Sequence, residues 1–176
     1  MHSIKLVDVE TEIADEIKER IKTADELEKI SKRLRDENKI IVTTNGSFDL
    51  FHKAHAKLFA KAKDLGDYLI VLVNSDKSVR DNKGDKRPII LEDDRAYLVA
   101  ALRSVDYVTI FDERTPLSLL KIIKPNFHAK GGSYIEERIA EERKLVESWG
   151  GEFRAFPLEA GCSTTRIIDI IVQRYS

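Results

Sequence analysis

The chain has 176 residues, with 30 basic and 31 acidic side chains and a formal net charge of -1. That length carries one domain with a full core, and the balanced charge offers no footprint for nucleic acid or an anionic membrane. One cysteine, Cys162, excludes an intrachain disulfide framework and fits a reducing compartment.

The N-terminal stretch has no apolar core of signal-peptide length, and no run is long enough to span a bilayer, so a soluble cytoplasmic protein is expected. Residues 8 to 37 are charge-dense, with Ile13, Ile17, Ile21, Leu27, Ile30 and Leu34 at helical spacing. They read as two helices, the second capped by Thr23. Residues 1–37 are taken as a helical extension packing on the core, and 38–176 as the main domain. The segment 10 to 21 carries an apolar stripe that needs cover, from its own domain or from a second subunit.

From residue 39 short apolar runs alternate with amphipathic segments. "KIIVTTNG" reads as a buried strand, "KAHAKLFAKAKDLG" as a helix stopping at Gly66, and "YLIVLVNSD" as a strand apolar on both faces. "EDDRAYLVAALRS" is a helix, "DYVTIF" a strand, "PLSLLKIIK" a helix, "NFHAKGG" a strand, "IEERIAEERKLVESWGG" a helix and "EFRAFP" a strand. "STTRIIDIIVQRY" closes the chain, with Ile167, Ile168, Ile171, Val172 and Tyr175 as a stripe expected to be buried. This alternation predicts an α/β fold, a Rossmann-like parallel sheet with helices on both faces. In such sheets a ligand sits at the carboxyl ends of the strands.

Four stretches fall there. Gly46 permits a tight turn after the first strand, and His52 and His55 open the next helix, three apart on one face. A helix N-terminus attracts anions, and both rings could donate to one, more strongly if protonated. Chance proximity is the bland alternative. A zinc site lacks further ligands, since only His2, His128 and Cys162 remain besides carboxylates. "DNKGDKRPI" is a basic turn with Lys83, Lys86 and Arg87, either a solvated loop or a polyphosphate clamp. "HAKGG" offers Lys130 as a mobile charge beside Gly131 and Gly132, where backbone can approach a ligand. "EAGCSTTRII" places Ser163, Thr164 and Thr165 on the first turn of the last helix. One of them caps it, and three hydroxyls in a row suggest a second phosphate cradle.

"TNGSFDLFHKAH", "VNSDKSV", "KRPI", "HAKGGSY" and "GCSTT" resemble, in order and approximate spacing, the cytidylyltransferase-like nucleotidyltransferases over roughly residues 21 to 172. Within that superfamily the nearest resemblance is to D-glycero-β-D-manno-heptose 1-phosphate adenylyltransferases. The resemblance implies an HxGH-type nucleotidyltransferase fold and transfer of a nucleoside monophosphate to a phosphorylated acceptor, with release of pyrophosphate. His52 and His55 match the family's His-x-Gly-His motif, and with Lys130 are the implied catalytic groups. Gly46, Ser47, Phe48, Ser163, Thr164 and Thr165 are implied to meet the nucleotide, and Asp49, Asp76, Arg87, Gly131 and Gly132 the substrate. Mg²⁺ is expected with ATP or CTP, and no dedicated protein metal cage. Homodimers are common in the family.

Two positions depart from the pattern. Ala54 stands where the family has glycine, so its methyl is expected to reshape the nucleotide pocket. Ser133 stands where the heptose branch carries aspartate, which leaves the sugar open. The alternatives are a cytidylyl- or adenylyltransferase for another small phosphate (a polyol phosphate, a phosphonate or flavin mononucleotide) and a non-catalytic nucleotide-binding module.

Overall fold

A computed structural model describes residues 12–132, 136–157 and 161–175. The expectation attached to Ser133 lies outside them. Five parallel strands, β1 (Ile41–Gly46), β2 (Tyr68–Asn74), β3 (Tyr107–Phe111), β4 (Phe127–Gly131) and β5 (Glu152–Phe156), form one sheet in the order β3-β2-β1-β4-β5. Among the described residues eight helices connect and flank them: α1 (Glu12–Glu19), α2 (Ala24–Asp36), α3 (Lys53–Lys63), α4 (Asp76–Lys83), α5 (Glu92–Ala100), α6 (Leu117–Ile123), α7 (Glu136–Glu147) and α8 (Thr164–Tyr175). This is the expected Rossmann-like sheet. Its order reverses between β1 and β4, and a crevice opens at such a switch point.

Strand β2 explains the layering. Successive side chains point to opposite faces, and Leu69 to Val73 are all fully buried. Leu69, Val71 and Val73 meet Phe59, Ala62, Ala96 and Val99 from α3 and α5. Ile70 and Leu72 meet Leu27, Leu34, Leu120, Ile123 and Val146 from α2, α6 and α7. Neither face of the strand tolerates a polar residue, which is why its sequence shows no alternation.

Thr23 caps α2 through a capping box with Glu26. Helix α1 rests on its own domain, with its Ile17 and the Ile21 that follows it packed on the core and Ile13 exposed. The Lys22 N–H donates to the Val108 carbonyl at 2.8 Å, so the connection after α1 covers the open edge of β3.

Two expectations are corrected. The stretch after β2 is not only a basic turn: Ser75 caps a helix there, its hydroxyl accepting from the Ser78 N–H at 3.1 Å, and Lys83 is the last residue of α4. The stripe on α8 is not buried in the single chain, because Ile171, Val172 and Tyr175 are 47%, 54% and 85% exposed.

Candidate active site

Strand β1 ends at Gly46, which lies so close to the Phe48 ring that a Cβ there would sit 3.0 Å from it. The chain then turns through Phe48 and Leu50, both with positive φ, before His52 caps α3. Phe48 folds inward against Phe59 and His55. It is a platform beneath the loop, so any nucleotide contact at this position comes from its backbone.

His52 and His55 stack with ring centroids 3.8 Å apart and 19° between planes. The His52 N–H reaches His55 Nδ1 at 3.4 Å, which leaves His55 Nε2 to carry the proton of a neutral ring. His52 Nδ1 is buried without a hydrogen-bond partner among the described residues. Burial holds the His52 pKa below its ordinary value, and burial with the nearby His52 and Lys83 holds His55 at about 3. The pair is therefore neutral near pH 7 before an anion arrives. The rings are thus held as neutral donors, and a nearby anionic group would favour their protonation.

The sign of the stability effect follows. Unfolded histidine takes up a proton near pH ~6.5, whereas His55 in the fold resists until about 3. The unfolded state then binds more protons, so stability falls as pH drops from ~6.5 toward that value. Asp49 and Glu142 have lowered pKa values and lose their contribution only below their ordinary 3.8 and 4.5. The thermal midpoint is expected to fall between pH ~7 and ~5, and less so in His55→Gln. An equal fall in both proteins would refute this assignment.

The loop after β1 is tied down by buried charge. Asp49, 1% exposed, accepts from the Ile89 and Ile90 N–H groups at 3.1 and 3.0 Å and from Arg87 Nε at 2.6 Å. Burial raises its pKa, but these donors outweigh it and hold the carboxyl low. Asp76 pairs with Arg95 at 2.7 Å. Both carboxylates expected to meet substrate are thus engaged within the protein, and neither lines a cleft. Arg87 Nη2 is buried with no hydrogen-bond partner among the described residues, and Arg87 does line the cleft.

Arg95 went unmarked in the sequence. It is 1% exposed and reaches the carbonyls of Ser47, Asn74 and Ile90 at 2.6, 2.8 and 2.9 Å. With Asp76 it clamps together the ends of β1 and β2 and the start of α5. An arginine inside a helix that reads as amphipathic gives no sign of this, since the same residue on a surface is commonplace.

Two clefts open over the carboxyl ends of the strands. The first, about 330 Å³, is lined by His52, Ala54, His55, Lys83, Arg87, Gly131, Gly132 and the Ser163-Thr164-Thr165 run, with Phe156 and Pro157 at one side. Ser163 performs the capping role, accepting from the Arg166 N–H at 3.1 Å. Thr164 donates to the Asp49 carbonyl at 2.7 Å and so fastens the start of α8 to the loop after β1. The Lys83 ammonium donates to Ser47 Oγ at 2.6 Å. Burial, then the neighbouring Arg87, lowers its pKa.

The second cleft, about 440 Å³, is lined by Asn45, Gly46, Ser47, Asn74, Asn82, Lys83, Arg114, Thr115, Lys130, Gly131 and Glu142. Lys83 and Gly131 belong to both clefts. The structure therefore brings the two histidines, Arg87, the two glycines and the hydroxyl run into one cleft, and sets Gly46, Ser47 and Lys130 in its neighbour. Lys86 lines neither. Asn45, Asn74, Asn82, Arg114 and Thr115 escaped the sequence reading. They are scattered strand-end, helix and loop residues that converge only once the sheet order is known.

No group of three His, Cys, Asp or Glu that could hold a metal ion occurs among the described residues. The first cleft is lined by cations, hydroxyls and imidazoles, a donor set for anions. A divalent ion would fit there as a companion of triphosphate oxygens and water, without a protein cage.

A parallel α/β sheet with anion-binding groups at its switch point defines a class, and comparison gives the family. A cytidylyltransferase-like family model matches residues 43–170, and the chain belongs to that family. It is 47% identical over 157 residues to a bifunctional protein HldE from Pelobacter propionicus, covering 89% of this chain and 32% of that protein. To a bifunctional protein HldE from Nitratiruptor sp. it is 48% identical, covering 86% and 32%. The chain thus spans about a third of the length of these curated relatives. Among solved structures, it superposes on a lipopolysaccharide core biosynthesis protein from Thermoplasma volcanium with a TM-score of 0.57 at 27% identity, covering 71% of this chain and 99% of that one. A pantoate-beta-alanine ligase from Francisella tularensis, at 17% identity and a TM-score of 0.56, shares the fold.

Proposed function

We propose that the protein is an adenylyltransferase that moves AMP from ATP to a sugar 1-phosphate, D-glycero-β-D-manno-heptose 1-phosphate first among candidates, and releases pyrophosphate. The observation that carries this reading is the pair of clefts joined at Lys83 and Gly131, one built for anions and one lined with amides, a carboxylate and Arg114. Heptose hydroxyls suit the amides, and Arg114 suits a phosphate. The similarity to proteins named HldE and to a lipopolysaccharide core biosynthesis protein supports the substrate class.

In this reading the triphosphate lies in the first cleft. His52 and His55 face its phosphates, Arg87 offers its unpaired Nη2, and Ser163, Thr164 and Thr165 ring the far end. Phe156 and Pro157 offer an apolar wall to the base. An acceptor phosphate oxygen attacks the α-phosphorus from the second cleft. The new bond is oxygen to α-phosphorus, and the bond to the α,β-bridging oxygen breaks, so pyrophosphate leaves with that electron pair. The attacking oxygen is already ionised, so no general base is needed, and preorganised donors do the stabilising. Mg²⁺ bound to the triphosphate would neutralise part of the charge that builds on the leaving group.

Pyrophosphate release with Mg²⁺, ATP or CTP and a panel of small phosphates tests the reading. Turnover with ATP and the heptose phosphate is expected. Turnover only with CTP or another acceptor would move the substrate. Nucleotide binding with no release on any acceptor would favour a non-catalytic binding module, a reading that the Ala54 methyl in the cleft supports.

Ala54 gives a prediction of its own. Removing the methyl in Ala54→Gly is expected to tighten nucleotide binding by roughly tenfold, while the helix loses up to ~1 kcal/mol. Calorimetric titration with a non-hydrolysable ATP analogue reads the first, and thermal unfolding the second. Unchanged affinity would show that the methyl leaves the nucleotide undisturbed.

We further propose a homodimer working in the cytoplasm, where a lone free cysteine is at home. The exposed Ile171, Val172 and Tyr175 on α8 support a covered face. A monomer mass in light scattering would reject the dimer. No helix among the described residues is long and apolar enough to cross a membrane.

A further inference from the structure

Beneath the second cleft lies a buried polar chain that ends on Lys130. Lys130 leaves the end of β4 with its side chain 16% exposed, and its ammonium meets Glu142 on α7 at 2.8 Å and the Asn45 side-chain carbonyl on β1. Glu142 is 3% exposed. Its other contact is His128 Nε2 at 3.3 Å, and His128 Nδ1 lies 2.7 Å from the Thr43 hydroxyl, both residues fully buried. Burial, with Lys130 beside it, keeps His128 below its ordinary pKa and therefore neutral, although Glu142 opposes this. A carboxylate only accepts, so Nε2 carries the proton and the Thr43 hydroxyl donates to Nδ1. The direction of every bond is thereby fixed from the centre of the sheet outward.

Such a chain is a poor way to gain stability, because desolvating the ion pair roughly cancels its attraction. Its effect is geometric. Lysine is a flexible point charge with many rotamers, and burial favours the neutral amine. Asn45 and Glu142 restrict the ammonium to one place, between the ends of β1 and β4, beside Gly131 where the clefts join.

We propose that Glu142 is the positioning residue for Lys130, itself held by His128 and Thr43, and that this chain keeps a charged ammonium aimed at the junction where acceptor and triphosphate meet. The role in turnover rests on the transferase reading, and the charge state does not. Two measurements separate them.

First, Lys130 acetylation by acetic anhydride, followed by peptide mass spectrometry on the ligand-free protein, reports its free-amine fraction. In Glu142→Gln the rate is expected to rise several-fold relative to exposed lysines. An unchanged rate in a folded variant overturns the proposal. Second, in the transfer assay Glu142→Gln is expected to reduce kcat/KM for the acceptor by up to about a hundredfold, with the KM for ATP little changed. In a Lys130→Met background the same change should cost almost nothing more, because both act through one ammonium. Equal losses in both backgrounds would make Glu142 merely structural. If Glu142→Gln does not fold, Thr43→Val cuts the chain at its far end, and the same comparison decides: a loss that disappears in Lys130→Met supports the proposal, and a loss that persists overturns it. A parent with no turnover on any acceptor refutes the transferase reading, and the acetylation rate then decides the proposal alone.

Discussion

Replacing His55 with asparagine is expected to lower pyrophosphate release by about two to three orders of magnitude, the usual effect of removing one preorganised donor from a site of developing charge. The imidazole is held from three sides. It stacks on His52 at 3.8 Å, lies edge-on to Phe48 with centroids 5.4 Å apart, and tilts against Phe51 at the same distance. That packing fixes the ring in the ligand-free protein, so little reorganisation is left for the reaction itself. The same burial keeps the ring neutral, and in the proposed transfer the charge of the triphosphate would favour its second proton. Asparagine loses both the reach of Nε2 and the capacity to become cationic. The fall should appear in kcat more than in the KM for ATP, because the interaction strengthens as charge builds. A loss below tenfold in a folded protein would place the chemistry elsewhere in the cleft.

The largest structural effect is expected at Arg95. Arg95→Leu leaves Asp76 without its cation and three carbonyls without their donor. Breaking a buried pair by removing one partner costs about 3–5 kcal/mol, and each kcal/mol shifts the midpoint of a domain this size by about 2–4 °C. A thermal midpoint lower by about 6–20 °C is therefore expected. Activity should fall as well, since Ser47 lines the second cleft and its backbone is held by this guanidinium. A shift of a degree or two would mean that the loop ends are fixed by Asp49 and the Ile89 and Ile90 amides alone.

The fold was largely legible because its signals are local. Short apolar runs such as Leu69 to Val73, buried on both faces, spaced by helices of matching length, leave few arrangements other than a parallel sheet. Helix α4 is hard to read from sequence because DKSVRDNK carries a single apolar residue, Val79, and its one signal is the Ser75 cap. The stripe on α8 was legible as a stripe, but periodicity cannot say whether a face meets its own chain or another one.

The site divides in the same way. Histidines on one helical turn, a hydroxyl run and glycines after a strand announce themselves by spacing, and they do line one cleft. Arg95, Glu142 and His128 carry no such mark. Glu142 lies in a helix crowded with glutamates and arginines, and nothing local distinguishes the one carboxylate that turns inward to Lys130. The residues of the second cleft come from the ends of β1, β2 and β4, from α4 and α7 and from the loop after β3, and only the strand order brings them together.

The most direct test of the account is the ³¹P NMR spectrum of the protein incubated with Mg²⁺, ATP and D-glycero-β-D-manno-heptose 1-phosphate. The account predicts pyrophosphate together with the paired doublets of a new sugar nucleotide diphosphate, both forming at least about a hundredfold more slowly with His55→Asn. Appearance of ADP and inorganic phosphate in their place would put the cleavage at the γ-phosphorus and contradict the proposed transfer.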